Sequence, residues 1–119
     1  MKVLFIQSYL GQSGNIPVYP LGLAYISTAS YQKGHEVQIF DPNTATNPYE
    51  DLAKCILNFS PEIIGISLRN IDNQYRIAPF YYYKHFQHLL ENINRMIPRA
   101  KVIVGGAGFS MFAEKIMER

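Results

Sequence analysis

Cysteine is nearly missing from this sequence: Cys55 stands alone in 119 residues. No disulfide can close within the chain, and its own residues cannot build a cysteine-ligated zinc site or an iron-sulfur cluster. Charge of one sign is missing too. Lys plus Arg number 11 and Asp plus Glu 9, scattered along the chain, so there is no basic stripe of the kind that releases counterions from a nucleic acid. Long apolar runs are also lacking. The start, MKVLFIQSYLG, has one lysine and a short apolar stretch without a small-residue cleavage pattern, which fits neither a secretory signal nor a membrane span. A single thiol and no leader read as a cytoplasmic protein, with neither nucleic acid nor membrane as a partner.

What is present is alternation. With 48% hydrophobic residues the chain can fill one core but not two. Strand-length apolar runs occur at Lys2–Gln7, Ile63–Ser67 and Lys101–Val104, and Glu36–Phe40 alternates polar with apolar as a strand with one better-covered face would. Helices are expected between them, from Leu21 to Lys33 with a stop at Gly34, and from Pro48 to Phe59 before Ser60-Pro61. A third helix should bury Tyr83, Phe86, Leu90, Ile93 and Ile97, leaving Tyr81 and Tyr82 at its flanks. A last helix from Phe109 to Arg119 should turn Phe109, Phe112 and Ile116 inward. Strands alternating with helices imply an open, flavodoxin-like α/β fold: a parallel sheet of order 2-1-3-4 with helices on both faces. Such sheets usually continue to a fifth strand. The sequence therefore reads as one domain, 1–119, of a longer protein, truncated before that strand.

In this topology ligands bind at the carboxyl ends of the strands beside the reversal of winding. The loops after strands one, three and four should meet there. They hold Gln7 to Tyr19 within a Gly, Ser, Asn and Pro stretch reaching Pro20, Ser67 to Asp72, and Gly105 to Ser110. The loop Gly105-Gly106-Ala107-Gly108 could present amides to a polar ligand group, or could be a strand-to-helix turn that merely needs small residues. It lacks both the dinucleotide fingerprint and the Gly-Lys-Ser/Thr of a phosphate loop. A solvated loop is the simpler reading of an isolated arginine, but Arg69 and Asn70 follow the third strand at the expected crevice, where polar groups tend to be ligand contacts. His85 and His88 share a helix face without a carboxylate or thiol partner, so a solvated face is the simpler reading. No nucleophile, base and acid set appears, and no catalytic residue or metal ligand is assigned.

Four segments together resemble a known family. They are Tyr19-Pro-Leu-Gly-Leu-Ala-Tyr-Ile-Ser27, Gly34-His-Glu-Val-Gln-Ile-Phe-Asp41, Ile64-Gly-Ile-Ser67, and Val102-Ile-Val-Gly-Gly-Ala-Gly-Phe-Ser110. The sequence resembles the N-terminal cobalamin-binding domain of B12-dependent radical SAM enzymes over nearly its whole length. The resemblance implies cobalamin as cofactor, with its nucleotide tail in a slot beside the strand ends. It implies contacts from Ser8, Tyr9, Pro20, Leu21 and Gly22, from Ser67, Leu68, Arg69 and Asn70, and from Gly105, Gly106, Ala107 and Gly108. It also implies a parent methyltransferase whose radical SAM barrel, carrying the 4Fe-4S cluster and S-adenosylmethionine, follows downstream, so that this piece alone completes no reaction. Two departures matter. The broader cobalamin-binding fold has Asp-x-His-x-x-Gly after strand one, whereas residues 8–19 hold no histidine, and Arg69 stands where the Ser-x-Leu pattern has leucine. A nucleotide, flavin or protein-interaction module on the same fold is the alternative.

Overall fold

The computed structural model describes residues 1–10 and 18–118. Part of the expected loop from Gly11 to Pro20 lies outside the described residues, as does Arg119. The elements are β1 (Lys2–Gln7), α1 (Leu21–Gln32), β2 (Glu36–Phe40), α2 (Pro48–Phe59), β3 (Ile63–Ser67), α3 (Tyr82–Met96), β4 (Lys101–Gly105), α4 (Ala107–Met111) and α5 (Ala113–Met117). Among the described residues the strands form one parallel sheet in the order β2-β1-β3-β4, as expected. No described helix is long and apolar enough to cross a membrane.

Side chains alternate across each strand, and pairing turns that alternation into two unlike faces. Leu4 and Ile6 of β1 share a core with Ile64 and Ile66 of β3, covered by Leu52, Ile56 and Phe59 of α2 and by Phe86, Leu89 and Ile93 of α3. Each such large apolar side chain contributes roughly 1.5–3 kcal/mol by leaving water. The opposite face is thinner. Val3 and Phe5 meet Leu23 of α1, with Val37 and Ile63 partly buried beside them. Ile103 on the same face of β4 remains 54% exposed.

Local signals explain most boundaries. Pro48 opens α2 at a position where its missing amide hydrogen costs nothing, and Asp51 returns a carboxylate to the Asn47 amide at 3.2 Å. Ser60, in the left-handed region at φ 51°, ends that helix. The chain leaves α1 through Gly34 at φ 91°.

Two expectations need correction. In α3 the fully buried row is Tyr82, Phe86, Leu89 and Ile93, with Tyr83, Leu90 and Ile97 only partly buried against the core. Both rows have helical spacing, and the sheet selects the one whose centre faces it. The last helix is broken at Phe112, whose φ of −133° is incompatible with a continuous helix. Phe109 and Ile116 pack on the core as expected, but Phe112 is 43% exposed.

Candidate functional site

Parallel pairing brings Gln7, Ser67 and Gly105 side by side as the last residues of β1, β3 and β4. All three fall in the alternation of Val3 and Phe5, so they face α1 at the carboxyl edge of the sheet. The three loops that follow therefore meet at one place.

The loops after β3 and β4 are held together backbone to backbone. The Leu68 amide donates to the Gly105 carbonyl at 2.8 Å, and the Phe109 amide donates to the Leu68 carbonyl at 3.2 Å. Gly106 sits at φ +98°, and a Cβ there would lie 2.6 Å from the Leu68 carbonyl oxygen. A Cβ on Gly108 would lie 3.0 Å from the carbonyl oxygens of Leu68 and Arg69. These two glycines thus serve loop-on-loop contact. Among the described residues, nothing lies within 4 Å of a Cβ added at Gly22 or Gly105.

A cavity of about 580 Å³ lies at the strand ends, bounded by Gln7, Ser67, Arg69, Gly106, Ala107 and the start of α1 at Pro20, Leu21 and Gly22. It adjoins a slot of about 470 Å³ running down between α1 and the sheet, with Gly22, Leu23, Ser67 and Gly106 common to both. The slot is mostly apolar: Val3, Phe5, Ile26, Ile63 and Ile103 line it, with the Phe5 ring lying over Gly65. On its other side Arg69 borders a smaller space of about 280 Å³ with Ser8, Asn70 and Tyr82. Arg69 is exposed, and among the described residues its guanidinium has no ion-pair partner.

Of the residues singled out in the sequence, the cavity and slot collect Pro20, Leu21, Gly22, Ser67, Arg69, Gly105, Gly106 and Ala107. Ser8 and Asn70 stand across from them in the smaller space. Three lie elsewhere. Leu68, one residue past the row, turns to the other face and is fully buried in the main core. Tyr9 is buried edge-on against the rings of Tyr49, at 6.0 Å, and His85, at 5.3 Å. Gly108 is buried behind the Leu68–Arg69 backbone.

The sequence reading missed Phe5, Gly65 and Ile103 as lining residues, because their shared face is defined by strand register. It also missed the anchor of the first loop. Asn43 donates to the Ser8 carbonyl at 2.9 Å and to Asp41 at 2.8 Å, while its side-chain oxygen accepts the Leu10 amide at 2.7 Å. The Asp-Pro-Asn turn after β2 thus holds the neighbouring loop as well as ending its own strand. Asn43→Ala is expected to cost about 1–3 kcal/mol in urea unfolding, since it leaves half-buried loop groups unpaired. A loss below about 0.5 kcal/mol would show that the loop is held by other means.

His85 and His88 lie apart from the cavity and the slot. Burial, and then the charge of His88, lowers the His85 pKa; its ring stacks on Phe80 at 5.2 Å. His88 packs on Tyr49, whose hydroxyl is buried without a partner among the described residues and whose pKa is raised by burial and then by Tyr9. Burial also raises the Cys55 pKa. Among the described residues no cluster of His, Cys, Asp and Glu could hold a metal ion.

Comparison with known proteins adds two kinds of likeness. A family model described as "B12 binding domain" matches residues 10–119. No curated protein matches the sequence. Two solved structures of the radical S-adenosylmethionine methyltransferase TsrM from Kitasatospora setae are similar. The one with tryptophan substrate and the SAM analogue aza-SAM bound is 24% identical with a TM-score of 0.85, covering 98% of this chain and 21% of its own. The one with cobalamin and a [4Fe-4S] cluster bound is 24% identical with a TM-score of 0.79, covering 98% of this chain and 22% of its own. The present chain thus spans about a fifth of the length of those enzymes, and at this identity the likeness concerns the fold.

Proposed function

The chain belongs to the B12-binding domain family, and on that basis we propose that it holds cobalamin at the carboxyl end of its sheet for a B12-dependent radical SAM methyltransferase. The carrying observation is the continuity of the two spaces: a mouth bordered by the polar side chains of Ser67 and Arg69 opens directly into a more apolar slot beneath it. That shape suits a ligand with a broad polar ring and a narrower base on a tail. The tail enters the slot past Ser67, whose hydroxyl can hydrogen-bond it, and Gly22 and Gly105, with no side chain, admit it close to the backbone. The corrin then rests over the loops holding Ser8, Arg69, Asn70 and Ala107. Bound cobalamin supplies a cobalt that carries a methyl group, while this domain positions it. The 4Fe-4S cluster and S-adenosylmethionine belong to a barrel elsewhere in a longer parent chain.

Arg69 determines what the lower corrin face meets. A guanidinium stays protonated and has no lone pair to offer, so it cannot serve as an ordinary nitrogen ligand. Bordering the cavity where the cofactor would sit, Arg69 would help to hold it without offering the metal a nitrogen ligand. The loop after β1 has no histidine in residues 8–19 to fill that role.

Two measurements test this reading. The chain incubated with hydroxocobalamin is expected to stay red after desalting; a colourless protein overturns cobalamin binding. Reduced to bound cob(II)alamin, it is expected to give an EPR spectrum without nitrogen superhyperfine splitting. Splitting would remove Arg69 from its assigned place and leave cofactor binding standing.

A further inference from the structure

Two of the three loops that meet at the site are tied together by one ring. The half-buried His85, on α3, stands between Tyr9 from the loop after β1 and Phe80 at the end of the loop after β3. Its imidazole meets the Tyr9 ring nearly edge-on, at 5.3 Å and 77°, and lies almost parallel to Phe80, at 5.2 Å and 19°. Each partner belongs to a site loop. Tyr9 is 8% exposed and follows Ser8, which borders the small space beside Arg69 and Asn70. Phe80 closes a turn on Asn73: its amide donates to the Asn73 side-chain oxygen at 2.9 Å, and its carbonyl accepts the Asn73 amide at 3.0 Å. We propose that His85 is a positioning residue that, while neutral, wedges these two loops into register, and that protonation of its ring loosens them and weakens the corrinoid site. The effect on corrinoid binding rests on the cobalamin reading; the effect on the loops does not.

The surroundings of the ring set the sign. Tyr9 faces it from the loop after β1, with Tyr49 of α2 behind, and α3 itself supplies Tyr82, packed on Phe80, and His88. Lys84, the preceding residue, lies over Tyr81 instead. Among the described residues no ion pair reaches His85, whereas His88 meets Glu91 at 4.0 Å. A proton on His85 would be attracted weakly by the aromatic faces. Against that, the charged ring loses hydration and is repelled by His88, and these two causes, burial first, hold its pKa below the ordinary histidine value. A histidine so lowered contributes its full stabilisation above the ordinary value and loses it as the pH falls from there toward the lowered one. The two loops are therefore expected to hold together at about pH 7.5 and to loosen toward about pH 5.5.

Hydrogen exchange of the 119-residue chain, read by mass spectrometry and corrected for the intrinsic pH dependence of exchange, tests the loops without any ligand. Peptides holding the Leu10 amide, bonded to Asn43 at 2.7 Å, and the Asn73 and Phe80 amides are expected to exchange about fivefold faster at the lower pH. His85→Phe keeps an aromatic ring without a titrating nitrogen and should give equal corrected rates at both pH values. His85→Ala removes the wedge and should exchange fast at both. Equal corrected rates in the parent chain, or a pH response undiminished in His85→Phe, overturn the inference and leave cobalamin binding untouched. Equilibrium dialysis against hydroxocobalamin then reads the site. The parent is expected to bind about fivefold more weakly at the lower pH, and His85→Phe, in which any titration of the corrinoid itself persists, to lose most of that difference. A fall in affinity no larger in the parent than in His85→Phe overturns the link between the ring and the site. If neither binds corrinoid while exchange responds as expected, the functional reading fails, and the link to the site with it, while the role of His85 in holding the loops stands.

Discussion

Gly106→Ala is expected to be the most damaging single-methyl change in the chain, unfolding it at least 10 °C lower and abolishing corrinoid retention. Two costs combine. At φ +98° and ψ 159° the backbone occupies a region that side-chain-bearing residues essentially never adopt, worth about 1–3 kcal/mol. The new Cβ would also lie 2.6 to 2.9 Å from backbone oxygen, carbon and nitrogen of Leu68, and none of those atoms can rotate away. Moving Leu68 disturbs a side chain with 0% exposure at the centre of the main core. A total of about 3 kcal/mol or more is expected, a large share of the stability of so small a domain, and each kcal/mol lowers the melting temperature by about 4 °C at this size. Gly105→Ala, one residue earlier, is the control. With nothing among the described residues within 4 Å of its Cβ, it should cost less than about 1 kcal/mol. Calorimetric melting of the two variants distinguishes the cases. Equal losses would mean that the glycine pair acts through chain flexibility, not through contact with Leu68.

That contrast marks the limit of what the sequence could show. A strand, a run of glycines and a helix could be read from the residues, but not which glycine meets backbone and which does not. That difference depends on the loop after β3 lying beside the loop after β4, a contact between residues nearly forty positions apart. The sheet order was legible because four strand-length runs separated by helical stretches leave few right-handed arrangements. The core of α3 was legible only as a stripe. Tyr82-Tyr83 and Leu89-Leu90 are adjacent apolar pairs, so two overlapping faces satisfy the same spacing, and burial against β3 decides between them. Leu68, a contact that the resemblance implies, follows Ser67 in sequence, whereas period-two alternation sends its side chain to the other side of the sheet. The break at Phe112 left no trace in composition, since neither proline nor glycine marks it.

The slot itself depends on a pairing that no single strand reveals. Phe5 and Gly65 are register partners on β1 and β3, both on the α1 face, and the phenyl ring lies over the glycine. A Cβ on Gly65 would stand 2.7 Å from one ring carbon and 2.8 Å from the next. Unlike backbone at Gly106, a ring can turn about its own χ angles, and the adjoining slot is the open volume beside it. Gly65→Ala is therefore expected to separate stability from binding. The fold should survive, losing about 1–3 kcal/mol from overpacking, while the displaced ring fills the slot and corrinoid affinity falls about a hundredfold. Shortening the ring side chain should reverse this, so Gly65→Ala with Phe5→Leu is expected to recover most of the affinity, although the double variant stays less stable than the parent. Urea unfolding and dialysis on the two single variants and the double variant close the cycle. If the double variant binds no better than Gly65→Ala alone, the ring is not what obstructs the tail, and the slot between α1 and the sheet loses its assigned occupant.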